Sequence, residues 1–167
     1  MNTGDGTLAT LWIAFGTIFA AFVIRGVKIS EFRQAWINEL RSDIAEYTSK
    51  THEWMDLYLD FNRENSQITK AEIEPKLNRI KYDALHILDR ITLRFSPEDT
   101  DADIVLEKLV DLLDPSRLDS KNQYTSWRKL SDEAISKARA LLKEEWEDTK
   151  NPLRKKYRSF KSIIFTK

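Results

Sequence analysis

Cysteine is absent from the 167 residues. Disulfides and thiolate metal sites are therefore excluded, and nothing in the chain requires an oxidising compartment. Glycine and proline occur four times each, which favours a helical protein over a sheet protein. There are two histidines, His52 and His86. Neither lies in a metal-spacing motif such as H-E-x-x-H, and no three-ligand set can be assembled around them. Ordinary structural or surface roles are expected for both. The phosphate-loop, dinucleotide and nucleophile-elbow motifs are missing as well. The expectation is a protein that is not an enzyme and carries no cofactor.

Acidic residues are missing from one end. No Asp or Glu follows Asp148, while seven Lys or Arg lie between Lys150 and Lys167. The whole chain balances at 27 basic and 27 acidic residues, so the rest is correspondingly acidic. Such asymmetry marks a basic tail with a partner of its own. In that tail, KNPLRKKYRSFKSIIFTK, Lys150, Arg154, Lys155, Lys156, Arg158 and Lys161 alternate with Leu153, Tyr157, Phe160, Ile163, Ile164 and Phe165. Contact with an anionic membrane surface is the first expectation for it. Nucleic-acid binding through phosphates and stacking is the second, and a solvated tail or a cap on the bundle is the third.

Charge is also missing from the stretch TLATLWIAFGTIFAAFVI, residues 7–24. As a helix these eighteen residues span roughly 27 Å, close to the hydrocarbon thickness of a bilayer. A single transmembrane helix is expected. The preceding MNTGDG has no Lys or Arg, and no small-x-small cleavage site follows the run, so a signal peptide is not indicated. Arg25, Lys28 and Arg33 all lie on its C-terminal side. The positive-inside rule then places the N-terminus outside and the bulk of the chain in the cytoplasm of a bacterial inner membrane. Thr10, Ala14, Thr17 and Ala21 share one narrow stripe of this helix, with Trp12, Phe15, Phe19 and Phe22 roughly opposite. Small residues allow close helix approach in lipid, so the first stripe is the candidate self-association face.

After the anchor, Ile29, Phe32, Trp36, Leu40, Ile44, Tyr47, Trp54, Tyr58 and Phe61 recur every three or four residues almost throughout, with Thr51 interrupting. This is an amphipathic helix. Unbroken from the membrane, it would reach about 50 Å into the cytoplasm, and Gly26 is the one place where continuity could fail. Its stripe lies about a quarter-turn from the small-residue stripe, which permits a membrane interface and a bundle interface at once.

Residues 62–69 read as a loop. Thr69 with Glu72 suggests a capping box, and Pro75 suits the first position of a regular helix. Leu77, Ile80, Ala84, Ile87 and Ile91 then repeat at heptad spacing, predicting an antiparallel hairpin with the preceding helix. Ser96-Pro97-Glu98-Asp99 reads as the start of a third helix carrying Leu106, Leu109, Val110 and Leu113 and ending near Asp114-Pro115. Asp99, Asp101 and Asp103 lack the Gly and Glu of a calcium loop, because Ile104 and Val110 occupy those positions. A last helix should begin around Asp119 or Ser120. Its inner face is Tyr124, Trp127, Leu130, Ala134, Ala138, Leu141 and Leu142, with Trp146 near the end, and Asn151-Pro152 should break it. By length, the helices would return the C-terminus towards the membrane.

The run ISEFRQAWINELRSDIAEY, residues 29–47, resembles a juxtamembrane F-R-Q-x-W-I-x-x-L-R pattern of small bacterial and prophage single-span proteins of unassigned function. Phe32, Arg33, Gln34, Trp36, Ile37, Leu40 and Arg41 carry the likeness. Residues 91–106, with Arg90 just before them, resemble the later part of such proteins through Arg90, Ile91, Leu93, Pro97 and Asp99. The resemblance implies an inner-membrane protein and transfers no catalytic residue.

The expected fold is all-α: a transmembrane helix continuing into a long amphipathic stalk, packed in a cytoplasmic antiparallel three- to four-helix bundle. The expected divisions are 1–6 outside, 7–24 in the membrane, 25–149 as the bundle and 150–167 as the tail. A membrane-anchored interaction or sensing module, related to prophage or anti-phage systems and with an unknown protein partner, is the leading expectation. A membrane-disrupting oligomeric effector and a membrane-tethered nucleic-acid binder are the alternatives.

Overall fold

The computed structural model describes residues 4–150, without the side chains at 4–11, 14, 18, 22 and 23. Four helices account for most of it: α1 (Gly4–Arg63), α2 (Gln67–Thr92), α3 (Thr100–Asp111) and α4 (Gln123–Lys150), with a 3-10 turn at Pro115–Arg117. No strand occurs among the described residues. Helix α1 runs through both Gly16 and Gly26 without a break. Among the described residues no helix is long and apolar enough to cross a membrane.

Ile37–Glu147 forms one compact unit. Its core takes Ile37, Leu40, Ile44, Tyr47, Trp54 and Met55 from α1 and Ile80, Ala84, Ile87 and Ile91 from α2. Ala102, Val105 and Leu109 come from α3, with Leu112 and Leu113 just after it, and Trp127, Ala134, Ala138, Leu141 and Leu142 come from α4. These positions follow the helical period, so each helix buries one face. Thr51, the interruption in the stripe, is fully buried; its hydroxyl donates to the Thr48 carbonyl at 3.0 Å, so no polar atom is stranded. Of the expected apolar stripes, Ile29, Phe32, Val110 and Tyr124 are exposed.

Helices α1 and α2 are antiparallel. Near their turn the Lys70 ammonium sits 5.2 Å from the Phe61 ring centroid. Farther along, Arg90 meets Asp43 at 2.8 Å, and Arg94 meets Asp43 and Glu39 at 2.7 and 2.9 Å. The third helix is tied to the first by Tyr47, whose hydroxyl donates to the Leu109 carbonyl at 2.7 Å. Burial pushes the Tyr47 phenol well above its ordinary range. A raised pKa favours the protonated, donating form in the fold. Its stabilising effect is complete below the ordinary phenol range of about 10 and is lost as the pH rises through and beyond it.

Three helix starts differ from expectation. The loop after α1 is only three residues, and Ser66 caps α2, accepting from the Thr69 amide at 3.4 Å. The Glu64 carboxylate accepts from the amides of Asn65 and Ser66, both at 2.7 Å, and so closes the turn. Asp99, not Ser96, caps α3 through the Ala102 amide at 3.1 Å. Ser96 instead opens a turn closed by the Asp99 amide at 3.0 Å, with Pro97 in the second turn position that suits it. The Asp119 carboxylate is occupied by the Lys121 amide at 2.9 Å, and its own amide donates to the Ser126 hydroxyl at 3.0 Å. That local turn delays α4 to Gln123.

Pro75 consequently lies inside α2. There it removes a helix hydrogen bond and crowds the carbonyl four residues earlier. It is exposed. Pro75→Ala is therefore expected to stabilise the bundle by about 1–2 kcal/mol, the helix-interior penalty less the extra freedom of the unfolded chain. Thermal melting of the full chain in detergent checks this, and an unchanged or lower midpoint would contradict it.

Candidate functional site

Three groups of residues are candidates: the exposed apolar segment of α1, a charged network between α1 and α2, and a histidine cluster between α1 and α4.

In the first, the described side chains Trp12, Ile13, Phe15, Phe19 and Ile24 are each more than half exposed, Trp12 at 74%. Isolated exposed apolar residues are ordinary, but a continuous run of large ones marks an interaction surface or a membrane contact. Of the expected self-association face, Thr17 and Ala21 are exposed. The Thr17 hydroxyl donates to the Ile13 carbonyl at 2.6 Å, the back-bond that lets a threonine sit in an apolar helix with its polar atom satisfied. The side chains of Thr10 and Ala14 lie outside the described residues. So do Arg154, Lys155, Lys156, Arg158 and Lys161 of the basic tail, whereas Lys150 is the exposed last residue of α4.

In the second, Asp43 is buried and receives both Arg90 and Arg94. Glu46 bonds to Arg90, and Glu39 to Arg94. The Glu46 bond chiefly holds the Arg90 guanidinium firmly protonated, with Asp43 adding to it. For Arg94 burial works against the charge, and the bonds to Glu39 and Asp43 outweigh it. The Arg90 Nε is buried without a hydrogen-bond partner, so the network is not fully satisfied and one N–H carries a desolvation cost. Its role is to clamp two helices. Asp43→Asn is expected to destabilise the bundle by about 2–3 kcal/mol, because two partly buried guanidinium groups lose their shared anion. A urea titration followed by circular dichroism checks it. A midpoint equal to that of the unmodified chain would show that the clamp contributes nothing.

In the third, the His52 ring stacks on Trp127 with centroids 5.2 Å apart and planes 15° from parallel. Its Nε2 is 3.0 Å from the Tyr124 hydroxyl, the direction of that hydrogen bond depending on the tautomer. The Asp56 carboxylate is 3.9 Å away. Trp127 is buried and its indole N–H donates to the Leu112 carbonyl at 3.1 Å. Beside Tyr124 an open polar groove is lined by Asn62, Arg63, Lys121 and Asn122. Tyr124 and Asp56 both face the same ring nitrogen, and 3.9 Å is beyond hydrogen-bond distance, so the trio makes no proton relay. Its visible role is to join α1 to α4. Sequence reasoning missed it because the partners are separated by 72 residues, and no spacing rule links them.

Near the end of α3, the Asp114 carboxylate is held below its ordinary range by hydrogen bonds from the Ser116 hydroxyl and amide. A depressed pKa stabilises the fold above the ordinary carboxylate range and is lost on acidification. The half-exposed setting keeps the effect small. His86 is exposed. Among the described residues no group of three or more His, Asp or Glu could hold a metal ion.

No protein-family model, curated protein or solved structure matches the chain.

Proposed function

We propose that the protein is a single-pass membrane-anchored helical module of a bacterial inner membrane, with its N-terminus outside and its helical bundle in the cytoplasm. The observation that carries this reading is the exposure of Trp12, Ile13, Phe15, Phe19 and Ile24 within a run of eighteen uncharged residues. Leaving a large apolar side chain in water forgoes about 1.5–3 kcal/mol each. Lipid removes that cost, and a continuous helix satisfies its own backbone there. Arg25, Lys28 and Arg33 support the orientation.

The bundle serves as a non-catalytic interaction or sensing module, and the likeness of residues 29–47 and 91–106 to small single-span proteins supports a bacterial or prophage setting. Copies pair through Thr10, Ala14, Thr17 and Ala21, whose small side chains let two helices approach. The tail residues Lys150, Arg154, Lys155, Lys156, Arg158 and Lys161 lie against the anionic inner leaflet.

Alkaline carbonate extraction of membranes, with a compartment-sensitive reporter fused at either end of the full chain, tests the reading. The chain should stay in the pellet, with the C-terminal reporter active only in the cytoplasm. Release into the supernatant would overturn the anchor, and a periplasmic C-terminal reporter would overturn the orientation.

A further inference from the structure

The segment just after the uncharged run carries a surface of mixed character. Ile29 and Phe32 are 49% and 75% exposed. Arg25 and Lys28 are exposed, and Arg33 is half-buried. All five lie on α1. At about 100° per residue they fall within an arc of about 140°, and Glu31 falls outside it, about 60° beyond Lys28 at its edge. Among the described residues none of the three cations has an ion-pair partner, unlike Arg90, Arg94 and Arg117 in the bundle.

An exposed Phe beside unneutralised cations on one helical face is the arrangement that suits a lipid headgroup layer. The ring and the aliphatic stems sit at the acyl boundary while the charged ends reach phosphate. Resting on the membrane-anchored reading above, we infer that Arg25, Lys28, Phe32 and Arg33, with Ile29, form a collar that binds anionic phospholipid headgroups of the cytoplasmic leaflet. The occupant is an anionic phospholipid because the face offers three cations and no acid. The collar begins one residue after Ile24, where an anchor ending at Ile24 would meet the headgroups. The collar residues are separate in sequence from the tail residues 150–167, and they would bind without them.

Native mass spectrometry of the full chain in detergent, with phosphatidylglycerol or phosphatidylcholine added, tests the inference. The unmodified chain should retain phosphatidylglycerol in preference, on the order of 100-fold for three cations near an anionic surface. R25Q/K28Q/R33Q should lose most of that preference while staying in the carbonate-resistant pellet. R25K/R33K, which keeps the charge, should retain it. R154Q/K155Q/K156Q/R158Q/K161Q should leave a clear preference in place. Equal binding of both lipids by the unmodified chain overturns the collar, as does unchanged preference in R25Q/K28Q/R33Q or its disappearance in the tail variant alone. Loss of the unmodified chain from the pellet overturns the anchor reading instead.

Discussion

Phe15→Asp with Phe19→Asp should move the protein out of the carbonate-resistant membrane fraction. An Asp near the centre of a membrane helix costs about 2.5–3.5 kcal/mol, and each replaced Phe gives up a few tenths more. Two substitutions sum to about 6 kcal/mol, a shift in partitioning on the order of 10⁴-fold. Both rings are exposed, Phe15 at 71% and Phe19 at 67%, so neither holds the bundle core together. The thermal midpoint of the bundle should stay within a few degrees of the unmodified chain. That second readout separates lost anchoring from lost folding. Phe15→Leu with Phe19→Leu should remain in the pellet. A double Asp variant that also remains there would remove the basis for the anchor.

Trp127→Ala should be the most damaging single change in the bundle. The indole is 1% exposed, stacks on His52 of α1 and bonds the carbonyl that follows α3. It therefore joins α4 both to α1 and to the end of α3. Deleting a buried Trp costs about 3–5 kcal/mol through lost burial and the cavity left behind. The Leu112 carbonyl also loses its donor, which costs about 1–3 kcal/mol where it stays buried. The melting midpoint should fall on the order of 10–20 °C. Trp127→Phe keeps most of the volume and loses the hydrogen bond, so it should fall between the two. A midpoint for Trp127→Ala within a few degrees of the original would show that the bundle is not organised around this residue.

Much of the helical architecture was legible before any coordinates. Ile80, Ala84, Ile87 and Ile91 form a heptad run in the sequence and a buried face in the bundle. Leu40, Ile44, Tyr47 and Trp54 do the same on α1. The reason is geometric: a 3.6-residue period can bury only one face, so apolar spacing reports burial directly. Helix starts were less legible. Ser66, Thr69, Ser96, Asp99, Asp119 and Ser120 are all competent caps. Which of them acts depends on backbone geometry at the turn, and Glu64 and Asp119 decide two cases by tying up neighbouring amides. Pro75 misled because its preference for a first turn is weaker than the continuity of a helix docked against α1.

The candidate sites divide in the same way. The uncharged run, the cations after it and the basic tail are contiguous in sequence, so composition alone makes them visible. His52 with Tyr124 and Trp127, and Asp43 with Arg90 and Arg94, are assembled from residues far apart in the chain. Local spacing carries no trace of them.

The sequence by itself determined that this is a helical protein without disulfides, which face each helix buries, and where its uncharged and basic segments lie. These follow from residue chemistry and the fixed pitch of the helix, which need no partner. Only the tertiary structure decided that Asp43 is a buried anion shared by two arginines, that His52 lies flat on Trp127, and that α1 is unbroken through Gly26. The first two depend on which helix faces meet and in what register. The third depends on whether tertiary contacts require a bend at a glycine that would permit one.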